Sequence, residues 1–184
     1  MAATPIVLDA CSSLNLFASG IPLEIAKAAN VQFLLLPEVQ MEAKHLFGPP
    51  DKDGVRPLEP IDWPSFLKSG IAASTSFPEE ALDALVSAAR QLSDVDAKCV
   101  ALANHLKVGL LSDDGKVRKV FTSSGGSGLL STVSTIRVAA AKLPLDKSAV
   151  RSIFGRIRER ARFEPSRKDP EYRWYVSQIG DSEQ

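Results

Sequence analysis

Ser93–Val120 reads SDVDAKCVALANHLKVGLLSDDGKVRKV. Ser93 stands just ahead of Asp94 and Asp96, and the helical run continues to Leu106. A side-chain oxygen before the first turn satisfies free amides there, and acids in that turn favour the helix dipole. KVGLLS (107–112) is a short apolar run of the kind a strand covered on both faces shows. Asp113–Asp114–Gly115 turns the chain, and KVRKVFT (116–122) is a further helix that SSGGSG (123–128) interrupts. Helix, buried strand, helix is the repeating unit of a parallel sheet.

The same alternation extends both ways. PIVLDA (5–10) and VQFLLL (31–36) are buried strands, and SSLNLFASGIPLEIAKAAN (12–30) between them is two short helices broken at Gly20 and Pro22. PEVQMEAKHLFG (37–48) begins with Pro and ends with Gly, which predicts a helix. PPDKDGVRPLEPIDWP (49–64) is a surface loop, and GIAASTS (70–76) a weak strand. PEEALDALVSAARQL (78–92) is a helix, LLSTVS (129–134) a strand and TIRVAAAKL (135–143) a helix. In DKSAVRSIFGRIRERARF (146–163), Val150, Ile153, Phe154, Ile157 and Ala161 form one apolar stripe flanked by arginines. The expected architecture is a three-layer α/β/α domain around a central, mostly parallel sheet. Residues 1–145 make the domain, and 146–184 a basic C-terminal helix and tail packed on it.

The chain has 184 residues, 45% of them apolar and 24% charged, enough for one core. Cys11 and Cys99 are the two cysteines, and the N-terminus lacks the features of a secretory signal. No run of eighteen apolar residues occurs, so no membrane partner is expected, and a reducing cytoplasm is the natural location. The 22 acids balance 22 bases, but the bases gather in the C-terminal third. His45 and His105 fall on different expected helices without a cysteine at zinc spacing, which argues against zinc. SSGGSG lacks the Gly-Lys-Ser/Thr ending of a phosphate loop.

Four acids punctuate the alternation: Asp9 after the first strand, Glu42 within the next helix, Asp96 in the first turn of the long helix, and Asp114 after GLLS. Ligands of open α/β sheets bind beyond the carboxyl ends of the strands, where Asp9 and Asp114 fall. Taken singly, each has an ordinary role: Asp96 completes a capping box with Ser93, Asp113–Asp114 precede a turn glycine, Glu42 is a surface acid, and Asp9 caps a helix. Gathered in one pocket they would raise each other's pKa, and a hard divalent cation relieves that repulsion. Metal-assisted phosphodiester hydrolysis is the reaction such a cluster suits.

The order IVLDACSSLNL, LLLPEVQMEA, LSDVDAKCVALANHLKVGLLSDDGKVRKV resembles the PIN domain of metal-dependent ribonucleases, over about Pro5 to Lys142. The resemblance implies Asp9, Glu42, Asp96 and Asp114 as catalytic and metal-holding residues, with Asp113 able to assist and Glu38 competing with Glu42. It implies Mg²⁺ or Mn²⁺ as cofactor and single-stranded RNA as substrate. Ser112, Asn15 and Ser12 would orient the carboxylates, and Lys116, Arg118 and Lys119 would draw in the RNA backbone. Relatives of the VapC kind act as toxins, which implies a small antitoxin protein as partner and a homodimer. Cys11 departs from the family, in which Ser or Thr is common at that place, and the loop from Gly48 to Trp63 is long. Two rival expectations stand beside it: a catalytically inactive PIN-like module that binds RNA or protein, and a small-molecule phosphatase.

Overall fold

In a computed structural model, which describes residues 2–180, the elements follow in the order β1 (Thr4–Leu8), α1 (Ala10–Ala18), α2 (Pro22–Ala29), β2 (Val31–Leu35), α3 (Pro37–Glu42), β3 (His45–Phe47), β4 (Leu58–Pro60), α4 (Trp63–Lys68) and β5 (Ala72–Ser74). A 3₁₀ turn at Glu79–Ala81 leads into α5 (Leu82–Ala89), then α6 (Asp94–Leu106), β6 (Gly109–Leu111), α7 (Gly115–Ser123), β7 (Leu129–Leu130), α8 (Thr132–Lys142), α9 (Lys147–Ala161) and α10 (Tyr172–Ile179).

The main sheet has the order β5-β2-β1-β6-β7, and every ladder in it is parallel. Successive residues Val7 and Leu8 of β1, and Leu110 and Leu111 of β6, are all fully buried, so both faces of the centre are covered by helices. This is the expected three-layer α/β/α arrangement. The chain builds β2 and β5 on one side of β1, then crosses over to place β6 on the other. The strand order therefore reverses between β1 and β6, and the crevice beyond their carboxyl ends opens there. Asp9 directly follows β1; Ser112, Asp113 and Asp114 directly follow β6.

Gly109 is what lets β6 and β7 meet. A Cβ there would fall 2.5 Å from the Gly128 carbonyl oxygen and 2.9 Å from Ile6 Cδ1. Real side chains do not tolerate such approaches, so the position excludes anything larger.

Four sequence expectations are corrected. The helix drawn to Gly48 stops at Glu42, and His45–Phe47 instead pairs antiparallel with Leu58–Pro60 inside the expected surface loop. Leu46 is buried in that hairpin, while the Trp63 indole donates 2.9 Å to the Ala43 carbonyl and locks the helix end. Local Pro–Gly punctuation loses to this tertiary packing. His45 is consequently an exposed strand residue, not a helical one. LLSTVS supplies only two strand residues, because Ser131 and Ser134 form a capping box that starts α8 at Thr132. Helix α10 lacked a clear apolar repeat but buries Tyr175 against Phe154, with ring centroids 4.9 Å apart.

The C-terminal helix is part of the core. Val150, Ile153, Phe154 and Ile157 are buried in the same cluster as Leu8 and Phe33. Among the described residues no helix is long and apolar enough to cross a membrane.

Candidate acid site at the sheet crevice

Asp9 is 1% exposed and caps α1, its Oδ1 accepting the Ser12 amide at 2.7 Å. The other carboxylate oxygen, Oδ2, is buried and meets no donor in hydrogen-bonding geometry. Burial raises the Asp9 carboxyl to about 7; the neighbouring Ser112 hydroxyl and the Ser12 amide pull the other way, and the charge of Asp113 adds to the rise. A buried carboxylate oxygen without a donor is uncommon and calls for a proton, a water or an ion.

Asp113 is the most heavily held acid. Its Oδ2 accepts from Asn15 Nδ2 at 2.9 Å, Ser12 Oγ at 3.2 Å and Thr132 Oγ1, and its Oδ1 from the Thr132 amide at 2.9 Å. Burial pushes its carboxyl up despite these donors. The expected orienting residues Ser12 and Asn15 thus do touch a carboxylate, and Ser112, fully buried, stands beside Asp9 and accepts the Asp114 amide. Asp114, expected as the fourth acid, is exposed and spends Oδ1 on the Lys116 and Val117 amides, capping α7. The inward place after β6 belongs to Asp113.

The two helix acids separate clearly. Glu38 is paired with Lys98 at 2.5 Å, which holds its carboxyl below the usual range. Glu42 has no such partner, and its pKa is raised by burial and by the charge of Asp96. Asp96 accepts the Ser93 hydroxyl at 2.8 Å, and Ser93 caps α6 by accepting the Asp96 amide at 3.3 Å, without the reciprocal backbone bond of the expected capping box among the described residues.

Cys11 shows what these acids share. Its thiol is pushed up to about 12, first by the packing around it and then by the charges of Asp9, Asp96, Glu42 and Asp114. The charges of all four carboxylates thus reach this thiol. As the side chains stand, no three His, Cys, Asp or Glu residues among those described form a metal-holding group. The donor chemistry nonetheless fits a hard cation: oxygen ligands only, an Asp9 carboxyl raised by burial and by Asp113, a Glu42 carboxyl raised by burial and by Asp96, and an unpartnered Oδ2 on Asp9.

The bases divide differently from the sequence expectation. Lys116 and Lys119 are exposed, but Arg118 turns inward and donates to the Ser112 and Leu130 carbonyls at 3.0 and 3.2 Å. Through Nη1 it ties β6 to β7. On α9, Arg156 donates to the Ser19 carbonyl, Arg160 pairs with Glu59 at 2.6 Å, and Arg162 lies 4.1 Å over the Phe47 ring. Sequence reading missed Thr132, because its stretch was assigned to a strand; the Ser-x-x-Ser spacing of Ser131 and Ser134 is the signal that would have placed it at a helix start.

No protein-family model matches the chain, and no curated protein matches it. Among solved structures it is similar to the crystal structure of PAE2754 from Pyrobaculum aerophilum, at 18% identity over 76% of this chain and 92% of that one, with a TM-score of 0.45.

Proposed function

We propose that this chain is a PIN-type metal-dependent endoribonuclease whose reaction centre is the crevice between β1 and β6. The observation that carries the reading is the buried, unpartnered Oδ2 of Asp9, at a strand-order reversal and within the field of Asp113. Asp9, Glu42, Asp96 and Asp114 would hold Mg²⁺ or Mn²⁺, with Asp113 behind them. The cation, when bound, supplies charge neutralisation and Lewis-acid activation of water and phosphate.

The chain's own residues do the rest. Ser12, Asn15 and Thr132 fix Asp113 through four hydrogen bonds, so a carboxylate stands in the crevice without reorganising during reaction. Asp9 is immobilised by its cap bond to Ser12, which leaves Oδ2 as its available oxygen. Lys116 and Lys119, exposed on the first turns of α7, are placed to meet an RNA backbone approaching Asp114.

The test is cleavage of single-stranded RNA with Mn²⁺, set against the same reaction in EDTA and with Asp9→Asn. Chelation should abolish cutting, and the substitution should lower it by at least about a hundredfold. Cutting that survives both would refute the proposal. RNA bound but uncut would mark a binding module, and hydrolysis of small phosphate esters alone would mark a phosphatase. A toxin role adds one further expectation: a small co-expressed antitoxin suppresses the cutting.

A further inference from the structure

Away from the acids, α9 and α10 enclose a second cleft, with a volume of 140 Å³, walled by Arg151, Phe154, Gly155, Arg158, Tyr175 and Ile179. Arg151 and Arg158 stand two turns apart on one side of α9, about 10 Å along its axis. Gly155 lies between them, and no atom outside its own stretch of helix comes within 4 Å of where its Cβ would be. The result is an open notch on α9 between the Arg151 and Arg158 positions.

Its floor is rigid, since Phe154 meets Tyr175 edge-on at 4.9 Å and Trp174 at 6.1 Å. The Arg151 head is placed against the end of α10, with Nη2 3.1 Å from where a Gly180 Cβ would stand. Other arginines of this region are spent on carboxylates or carbonyls, namely Arg137 on Glu171, Arg160 on Glu59 and Arg156 on Ser19. These two are not. Arg151 has no carboxylate within ion-pair distance among the described residues, and Arg158 has only Glu164 at 3.9 Å, with both side chains more than half exposed. So loose a pair yields readily to a better anion. Burial and the nearby Glu164 carboxylate keep the Tyr175 phenol protonated and able to donate.

We infer that this cleft binds a single phosphate group, either orthophosphate or the terminal monophosphate of an oligonucleotide. Guanidinium forks match the oxygens of a tetrahedral phosphate in pairs, with charge-assisted hydrogen bonds. A water's share of liquid volume is about 30 Å³, so the cleft has room for one such anion and a few waters. The inference does not rest on the nuclease reading.

The experiment is a titration of the ¹⁵N-labelled full chain with inorganic phosphate in EDTA, followed by two-dimensional NMR. The Gly155, Tyr175 and Gly180 amides should shift together and saturate. Arg151→Ala and Arg158→Ala, both at exposed positions, should each weaken binding about tenfold, and Arg90→Ala, just past the end of α5, should leave it unchanged. Gly155→Glu, which fills the notch with a negative charge, should abolish it. Shifts spread over all basic residues, or affinity indifferent to Arg151, Arg158 and Gly155, would overturn the inference. Oligoribonucleotides with and without a 5′-phosphate separate the sources. Tighter binding of the phosphorylated form assigns the cleft to a strand end; equal binding, with inorganic phosphate still in the cleft, assigns it to free phosphate. Because no divalent ion is present, neither result bears on catalysis at Asp9.

Discussion

Asp9 sits where β1 runs out, with one oxygen capping a helix and the other buried without a donor. Burial pushes its carboxyl up to about 7 in the fold, from an ordinary value of 3.8. The folded state therefore holds the proton more tightly than the unfolded state between those values. The stability is fully present below the lower value and declines as pH rises to the upper one, by about 4 kcal/mol if no other group responds. Glu42 and Asp113, also raised, push in the same direction. In EDTA the melting temperature should fall between pH 5 and pH 8, and Asp9→Asn should flatten that fall and stabilise the protein at pH 8. Mn²⁺ should recover the loss in the wild type more than in Asp9→Asn. A thermal melt series over pH decides it, and a wild-type profile that rises toward pH 8 would contradict the placement of this carboxyl. The neighbouring pair of acids gives a second comparison. Glu38→Gln removes one partly exposed ion pair, worth at most about 1 kcal/mol, and should leave RNA cutting nearly intact. Glu42→Gln removes the acid that faces Asp96 and should lower cutting about a hundredfold in a parallel assay.

The same logic of spent and unspent groups applies to whole elements. Arg118 belongs to α7 but works for the sheet, joining the ends of β6 and β7 through two carbonyls. Arg118→Ala should destabilise the fold by about 2 kcal/mol in urea titrations, because both charge-assisted bonds are lost. Lys119→Ala, at an exposed position on the same helix, should stay within about 0.5 kcal/mol of the wild type while weakening RNA binding. The reverse pattern would restore Arg118 to the RNA surface. Nothing in KVRKV distinguishes these two bases, since the difference lies in which side of α7 faces the β6–β7 edge. What the sequence does carry is the strand set. β1, β2 and β6 are short apolar runs ended by acids or Pro, and their parallel pairing follows from the helices between them. The β3–β4 hairpin was hidden because each strand has three residues, Pro57 precedes β4 and Pro60 is itself paired with His45. The site divides along the same line. Asp9 was legible from its place at a strand end, whereas the anchoring of Asp113 depends on Thr132, nineteen residues on and brought in by the start of α8.

At the scale of the molecule, α9 serves two surfaces at once. Val150, Ile153, Phe154 and Ile157 face the shared core, while Arg151 and Arg158 look outward over the α9–α10 cleft. A helix that merely decorated the sheet could be removed without harm. This one closes the layer over α1 and the β3 hairpin, where Arg160 reaches Glu59 and Arg156 reaches the end of α1. Phe154→Ala should therefore cost about 3–5 kcal/mol, a large part of a typical domain's stability. Because the core is continuous, the loss should appear as a lower midpoint of one cooperative urea transition, followed by both far-UV dichroism and tryptophan fluorescence. Trp63 reports on the sheet side of the core and Trp174 on the α10 side, so fluorescence samples both ends. If 146–180 were a separable appendage, dichroism and fluorescence would part into two transitions, and a chain shortened to residues 1–145 would fold by itself. Coincident curves and an unfolded 1–145 fragment are the expected result, since that fragment would leave the faces of α1 and β3 that pack on α9 exposed to water.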